Sequence, residues 1–212
     1  PLAILWFLDR RPFAATALTG AVLLVHFSYA LTVAGIAAAF MFLELRRTGR
    51  VRRPAIIGGI ATACAVPVLV YVLVALGPTS PQISRTAAAI VVSHIPQEAL
   101  PSSWMGLKAY LQLALIAVGL ALASGTELLP ILLAPLLAGV ALTAAQLTSG
   151  NPQLALLFPW RVTVLLVPIS TALIVRAIIV TAVSARAAPS PSRLRLLERA
   201  SIAVLGASCL LG

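Results

Sequence analysis

Acidic side chains are scarce in this chain: five Asp and Glu among 212 residues, against 15 Lys and Arg. Of the five, Glu98 alone falls on the side that the topology below assigns to the outside, so no pair of carboxylates for acid–base chemistry can be built there. The two histidines, His26 and His94, have no metal-ligand spacing, and no H-E-x-x-H is present. The two cysteines, Cys64 and Cys209, both lie within apolar runs with no C-x-x-C, which excludes a disulfide framework and reads as packing. No P-loop, G-x-G-x-x-G or G-x-S-x-G occurs, so phosphate-cradling loops and the nucleophile elbow are excluded. No cofactor motif is identified. Internal repeats and N-x-S/T sequons are also missing, as is a charged n-region with an A-x-A site.

What fills the chain instead is apolar surface. It is 61% hydrophobic and 9% charged, with a mean hydropathy of +1.07. A soluble domain of this size cannot hide so much apolar area, because surface is too large relative to volume. The expected solvent is lipid, where every backbone N–H and C=O needs an internal partner. A membrane barrel would alternate polar and apolar residues over strands of roughly 10 residues. The runs here are continuous and rich in Ala and Leu, which predicts helices. The fold class expected is all-α, a polytopic transmembrane helical bundle with a short helical hairpin. The net charge of +10 does not point to nucleic acid, because the basic residues sit beside apolar spans. They read as cytoplasmic anchors and contacts to anionic membrane lipids.

The apolar stretches are Phe13–Leu45, Ala55–Leu76, Leu107–Ser124, Leu128–Thr148 and Val162–Val183, with a partial one at Ala200–Gly212. The first would run roughly 50 Å as a single helix, against about 30 Å of hydrocarbon. It is basic at both ends, with Arg10 and Arg11 before it and Arg46, Arg47, Arg50, Arg52 and Arg53 after it. Two short spans, 13–25 and 29–45, meeting at His26-Phe27-Ser28-Tyr29, put both clusters on one side, as the positive-inside rule requires; one tilted continuous helix over 13–45 is the alternative, since that tetrapeptide has no Gly or Pro. With the N-terminus cytoplasmic, residues 77–106 and 149–161 are outer loops. The inner side then also holds Arg186, Arg193, Arg195 and Arg199, while Arg85, Lys108 and Arg161 lie outside and Arg176 lies within a span.

The domain reading follows. Residues 1–185 form the bundle, 186–199 a basic cytoplasmic linker, and 200–212 the start of a further span. A chain that begins at Pro1 and stops inside an apolar run is expected to be a piece of a longer polytopic protein. Its partners are then the rest of that chain or other helices, besides lipid.

One stretch between spans is not a simple basic loop. Residues 85–104 hold Arg85, His94, Glu98 and Trp104, stiffened by Pro96 and Pro101. Its Ile90, Val91, Val92 and Ile95, with Ile83 just before, need cover, which predicts a loop folded back as short helix over 84–93 and ended by Pro96. The expected outer face gathers these residues with His26, Ser28 and Tyr29, and with Gln146, Trp160 and Arg161. Ionisable groups at membrane depth are costly and usually have a task. Arg161 and Arg85 are candidates for anion binding, since the guanidinium fork suits phosphate and outer-face Arg runs against the usual charge bias. His26 is a candidate for substrate contact, with interhelical hydrogen bonding as the plainer role. His94 and Glu98 are weak catalytic candidates for acid–base work. Trp104 and Trp160 fit an interfacial aromatic belt.

The order His26-Phe27-Ser28-Tyr29, then Ser93-His94-Ile95-Pro96 with Pro101-Ser102-Ser103-Trp104, then Leu157-Phe158-Pro159-Trp160-Arg161 resembles bacterial GT-C-type glycosyltransferases and their uncharacterised relatives. The resemblance spans about residues 10–185. It implies a multi-pass protein of the bacterial inner membrane and a polyprenyl-phosphate sugar as donor. GT-C enzymes carry their acidic catalytic residue in an outer loop after the first helix, and no such Asp stands in these residues. The implied reading is therefore a transferase scaffold whose catalytic acid lies outside this chain. A transporter or lipid-handling protein, and a structural membrane subunit, are the alternatives. A transporter should show paired interrupted helices in two related halves, and one interruption is visible. A structural subunit has no use for the 85–104 loop.

Overall fold

The computed structural model describes residues 1–76 and 80–184, so the linker and tail expected at 186–212 lie outside the described residues. Among the described residues the fold is all helical, without a strand. In chain order the helices are α1 (Leu2–Leu8), α2 (Pro12–Val25), α3 (Ala30–Thr48), α4 (Arg52–Leu76), α5 (Pro81–His94), α6 (Pro96–Ala99), α7 (Pro101–Trp104), α8 (Leu107–Leu122), α9 (Leu128–Ser149), α10 (Pro152–Ala155) and α11 (Thr163–Ser184). Two 3₁₀ turns, Phe27–Tyr29 and Pro159–Val162, lead into α3 and α11. Four helical segments are long and apolar enough to cross a membrane: Phe27–Thr48, Arg52–Ala75, Leu128–Ser149 and Pro152–Thr181.

Proline and glycine set the boundaries. Pro12, Pro81, Pro96, Pro101, Pro152 and Pro159 each open a helix or turn, where the missing N–H would have no partner anyway. Gly49 closes α3 with φ 64°, and its N–H bonds back to the Leu45 carbonyl at 2.8 Å; a Cβ would strain that left-handed residue. Pro67, Pro135 and Pro168 lie inside α4, α9 and α11. Interior prolines are tolerated in apolar helices whose neighbours re-satisfy the freed carbonyls.

The chain forms two compact units. The first holds Pro1–Trp104 with Pro130–Val162. Here the long apolar run is broken at His26, whose φ of −155° and ψ of 104° are extended. Its N–H still caps α2 on the Val22 carbonyl at 2.9 Å, and the Tyr29 N–H returns to the His26 carbonyl at 3.2 Å. Beyond the break α3 packs against α2. Phe7 stacks on Phe40 with ring centroids 4.0 Å apart, which brings the far end of α3 back beside the start of α2. The crossing of α3 with α9 is tight: a Cβ on Gly35 would lie 2.6 Å from the Pro135 Cα.

The Arg46–Arg53 end of this unit carries a buried carboxylate. Glu44 is 3% exposed, and it accepts a bond from Arg53 Nη1 at 3.0 Å, with Arg47 Nη1 3.5 Å from its other oxygen. The Arg47 guanidinium also lies 4.5 Å over the Phe7 ring. At the opposite end, α5 packs against α10. Val92, Ala99 and Ala155 form a small buried core there, covered by Ile95, Leu100 and Leu156.

The second unit holds Met105–Leu129 with the described residues from Thr163 on. In it α8 packs against α11. Ile116 on α8 and Ala123 just after it are buried, as are Leu166 and Val167 on α11.

Candidate functional site

The break in the apolar run creates the site. A chain that leaves helical geometry at His26 points the Ser28 hydroxyl back at the imidazole, with Oγ 2.7 Å from Nδ1. Arg161 reaches the same hydroxyl from the turn before α11, donating Nη1–H to Ser28 Oγ at 2.6 Å. The same Nη1 is 3.5 Å from His26 Nε2. Ser28 is only 4% exposed, whereas His26 is open and Arg161 half-buried. The guanidinium lies 4.5 Å over the Phe158 ring. Phe158 itself has φ 47°, a costly value for an aromatic residue, and it precedes Pro159, whose ring restricts it further.

The protons admit two arrangements. Arg can only donate. In one arrangement the Ser28 hydroxyl donates to His26 Nδ1, and the neutral imidazole carries its proton on Nε2. Two N–H donors, from His26 and Arg161, then face one place, and an anionic oxygen there would accept from both. In the other, Nδ1–H donates to Ser28, and Nε2 accepts from Arg161. Either way the cluster offers guanidinium and imidazole N–H donors beside a hydroxyl.

The neighbouring layer stands on the same unit. Trp104 stacks on Trp160, ring centroids 4.5 Å apart and planes 15° from parallel. Gln146 Nε2 donates to the Ala99 carbonyl at 2.8 Å, and Gln153 Nε2 to Ser84 Oγ at 2.8 Å. These bonds tie α6 to α9 and α5 to α10, so the 85–104 stretch is folded rather than extended.

The remaining sequence candidates are Arg85, His94 and Glu98. Arg85 is exposed on α5, beside Ser84, and makes no hydrogen bond or ion pair among the described residues. His94, exposed at the end of α5, donates Nδ1–H to the Ile90 carbonyl at 2.8 Å, leaving Nε2 to solvent. Glu98 belongs to α6, which Pro96 starts as a new helix; its side chain is outside the described residues. The helix face that His94 and Glu98 would have shared is thus interrupted. Among the described residues no three of His, Cys, Asp or Glu gather closely enough to hold a metal ion.

Two features were not foreseen from sequence: Phe158 beneath the guanidinium, and the pairing of the two tryptophans. The signal for the first was Phe158-Pro159, since a restricted pre-proline residue fixes where its neighbours point. No family model matches this chain, and no curated protein or solved structure matches it either.

Proposed function

We propose that this chain is a multi-pass membrane scaffold that holds the phosphate of a membrane lipid at its outer face, as part of a GT-C-like glycosyltransferase. The observation that carries the reading is the convergence of Arg161 on Ser28 and His26, with Nη1 2.6 Å from the hydroxyl and 3.5 Å from the imidazole. Guanidinium groups bind phosphate oxygens through paired N–H donors, and a partly desolvated site strengthens each bond. The proposed topology puts the N-terminus and the Arg46–Arg53 cluster in the cytoplasm and the Arg161 cluster outside, in a bacterial inner membrane. The sugar-transfer step is assigned to an acidic residue outside this chain, and a polyprenyl-phosphate sugar is the proposed donor.

The alternative is a lipid-handling protein that binds the same headgroup without chemistry. The new helix that Pro96 starts between His94 and Glu98 supports it, because the two residues do not share one continuous helix face.

The test is a titration of the protein in nanodiscs with a water-soluble short-chain phosphatidic acid, followed by tryptophan fluorescence, since Trp160 adjoins Arg161. Saturable quenching that short-chain phosphatidylcholine does not reproduce is expected. No difference between the two lipids would remove the headgroup reading. Sugar transfer from a polyprenyl-phosphate sugar by the full-length protein then separates transferase from lipid handling.

A further inference from the structure

α2 and α4 approach closely at Gly20, where a Cβ would lie 2.6 Å from the Cys64 Cβ. One turn further along both helices the contact opens into a groove of about 440 Å³. One wall is Leu23 to Phe27; the other is Pro67, Val68 and Tyr71. The physical causes are visible at both walls. α2 ends at Val25 and the chain turns extended at His26, while Pro67 lacks the N–H that would close its helical turn, which bends such helices. The volume is within the range of small-molecule sites, about 300–1,000 Å³. The lining residues are apolar save for His26 and Tyr71.

His26 joins the two places: the residue lines the groove, and its Nε2 lies 3.5 Å from the Arg161 guanidinium. A hydrocarbon channel that ends on a cationic cluster matches a ligand that is apolar along its length and anionic at its tip. We propose that this groove takes the hydrocarbon chain of the membrane lipid whose phosphate sits at Arg161. The proposal rests on the lipid-phosphate reading and adds the subsite for the tail. The first part of the chain below the headgroup lies between α2 and α4, with Phe27 and Tyr71 flanking it. Val25 and Tyr71 are 87% and 69% exposed, so the groove is open along its length and a lipid enters sideways from the bilayer. Charge complementarity at one end, and apolar walls continuous with it, select this occupant over a second protein helix.

The experiment uses the whole chain in phosphatidylcholine nanodiscs doped with phosphatidic acid that carries a diazirine in its acyl chain. Labelled residues are mapped by mass spectrometry, and binding of inorganic phosphate is measured in parallel by ³¹P NMR line broadening. Labelling is expected to concentrate at Leu23–Phe27 and Pro67–Tyr71. Val68→Trp, which fills the groove, should cut that labelling about five-fold or more while phosphate broadening persists, because burial of the chain and binding of the head are separate contributions. Leu73→Trp, on the exposed surface of the same helix, should leave both unchanged. Arg161→Ala should lower groove labelling to that of a diazirine phosphatidylcholine. Labelling spread evenly over lipid-facing helices, with phosphate broadening intact, would overturn the groove and spare the headgroup reading. Labelling concentrated in the groove but indifferent to headgroup charge and to Arg161→Ala would overturn both. Unchanged groove labelling in Val68→Trp would also overturn the proposal.

Discussion

Replacing Arg161 by Lys keeps the charge and gives up the planar fork; replacing it by Ala gives up both. A charge-assisted hydrogen bond contributes about 1.5–3 kcal/mol, so Arg161→Ala should weaken binding of a lipid phosphate roughly 10- to 100-fold, and Arg161→Lys less. Arg176→Ala, an exposed position on α11, is the control in the same titration; equal losses would mean that folding, not a site, had changed. Glu44 makes the contrasting case. Its carboxylate is buried between Arg47 and Arg53, whose side chains are 12% and 59% exposed. Removing one member of a buried pair is costly because the other charge is left behind, about 3–5 kcal/mol. Glu44→Ala should therefore lower the melting temperature in detergent strongly. Arg53→Ala should cost less, because Arg47 still faces the carboxylate that is left behind. Comparable shifts for the two variants would refute this ordering. His26 and Arg161 were both legible as candidates, since each is ionisable at a span boundary. Their contact was not, because 135 residues separate them and no local pattern encodes so distant a pairing.

At the scale of the helix, the break at 26 is the element that organises the site. It was legible from charge and length: a run too long for one span, basic at both ends. The turn chemistry was not, because His26-Phe27-Ser28-Tyr29 contains neither Gly nor Pro. One local and one tertiary bond replace the missing turn residues, with Ser28 held by His26 and by Arg161. Single cysteines in a background lacking Cys64 and Cys209 test the element. Val25→Cys and Arg50→Cys should be labelled by a membrane-impermeant maleimide from opposite sides of a sealed vesicle. Labelling from one side alone would exclude the hairpin. The α3–α9 crossing gives a second expectation. Gly35→Ala would push a Cβ against the Pro135 backbone, and backbone cannot rotate away. A loss of about 1–3 kcal/mol is expected from such overpacking, measured by thermal or chemical unfolding in detergent; a melt at the wild-type temperature would show that the two helices can part without cost.

Across the first unit, the layer α5–α7 with α10 has a job that no single element explains. It is pinned by Gln153 on Ser84, Gln146 on the Ala99 carbonyl, and Trp104 on Trp160. A docked layer should show slow amide exchange over residues 84–93, well below the rate of a free peptide. Gln146→Ala removes one of the bonds, and a buried bond contributes about 1 kcal/mol, so exchange there should quicken about five-fold. Free-peptide rates in the unmodified protein would mean that the layer is undocked. The sequence had called for a folded stretch here from its uncovered Ile and Val, and for an end at Pro96. Which surface covers them depended on partners at 146–160.

By itself the sequence determined that the protein is helical, where its long apolar helices lie, and where along the chain its basic clusters fall. Those properties follow from composition, run length and charge placement, each readable without knowing any contact. Tertiary structure alone decided that Arg161 meets Ser28 and His26, that Trp104 stacks on Trp160, and that a groove opens between α2 and α4. The reason is physical: uniformly apolar helices can rotate about their axes with little change in what they bury. Only close packing at small residues such as Gly20 and Gly35, and the few polar bonds between distant segments, select one arrangement.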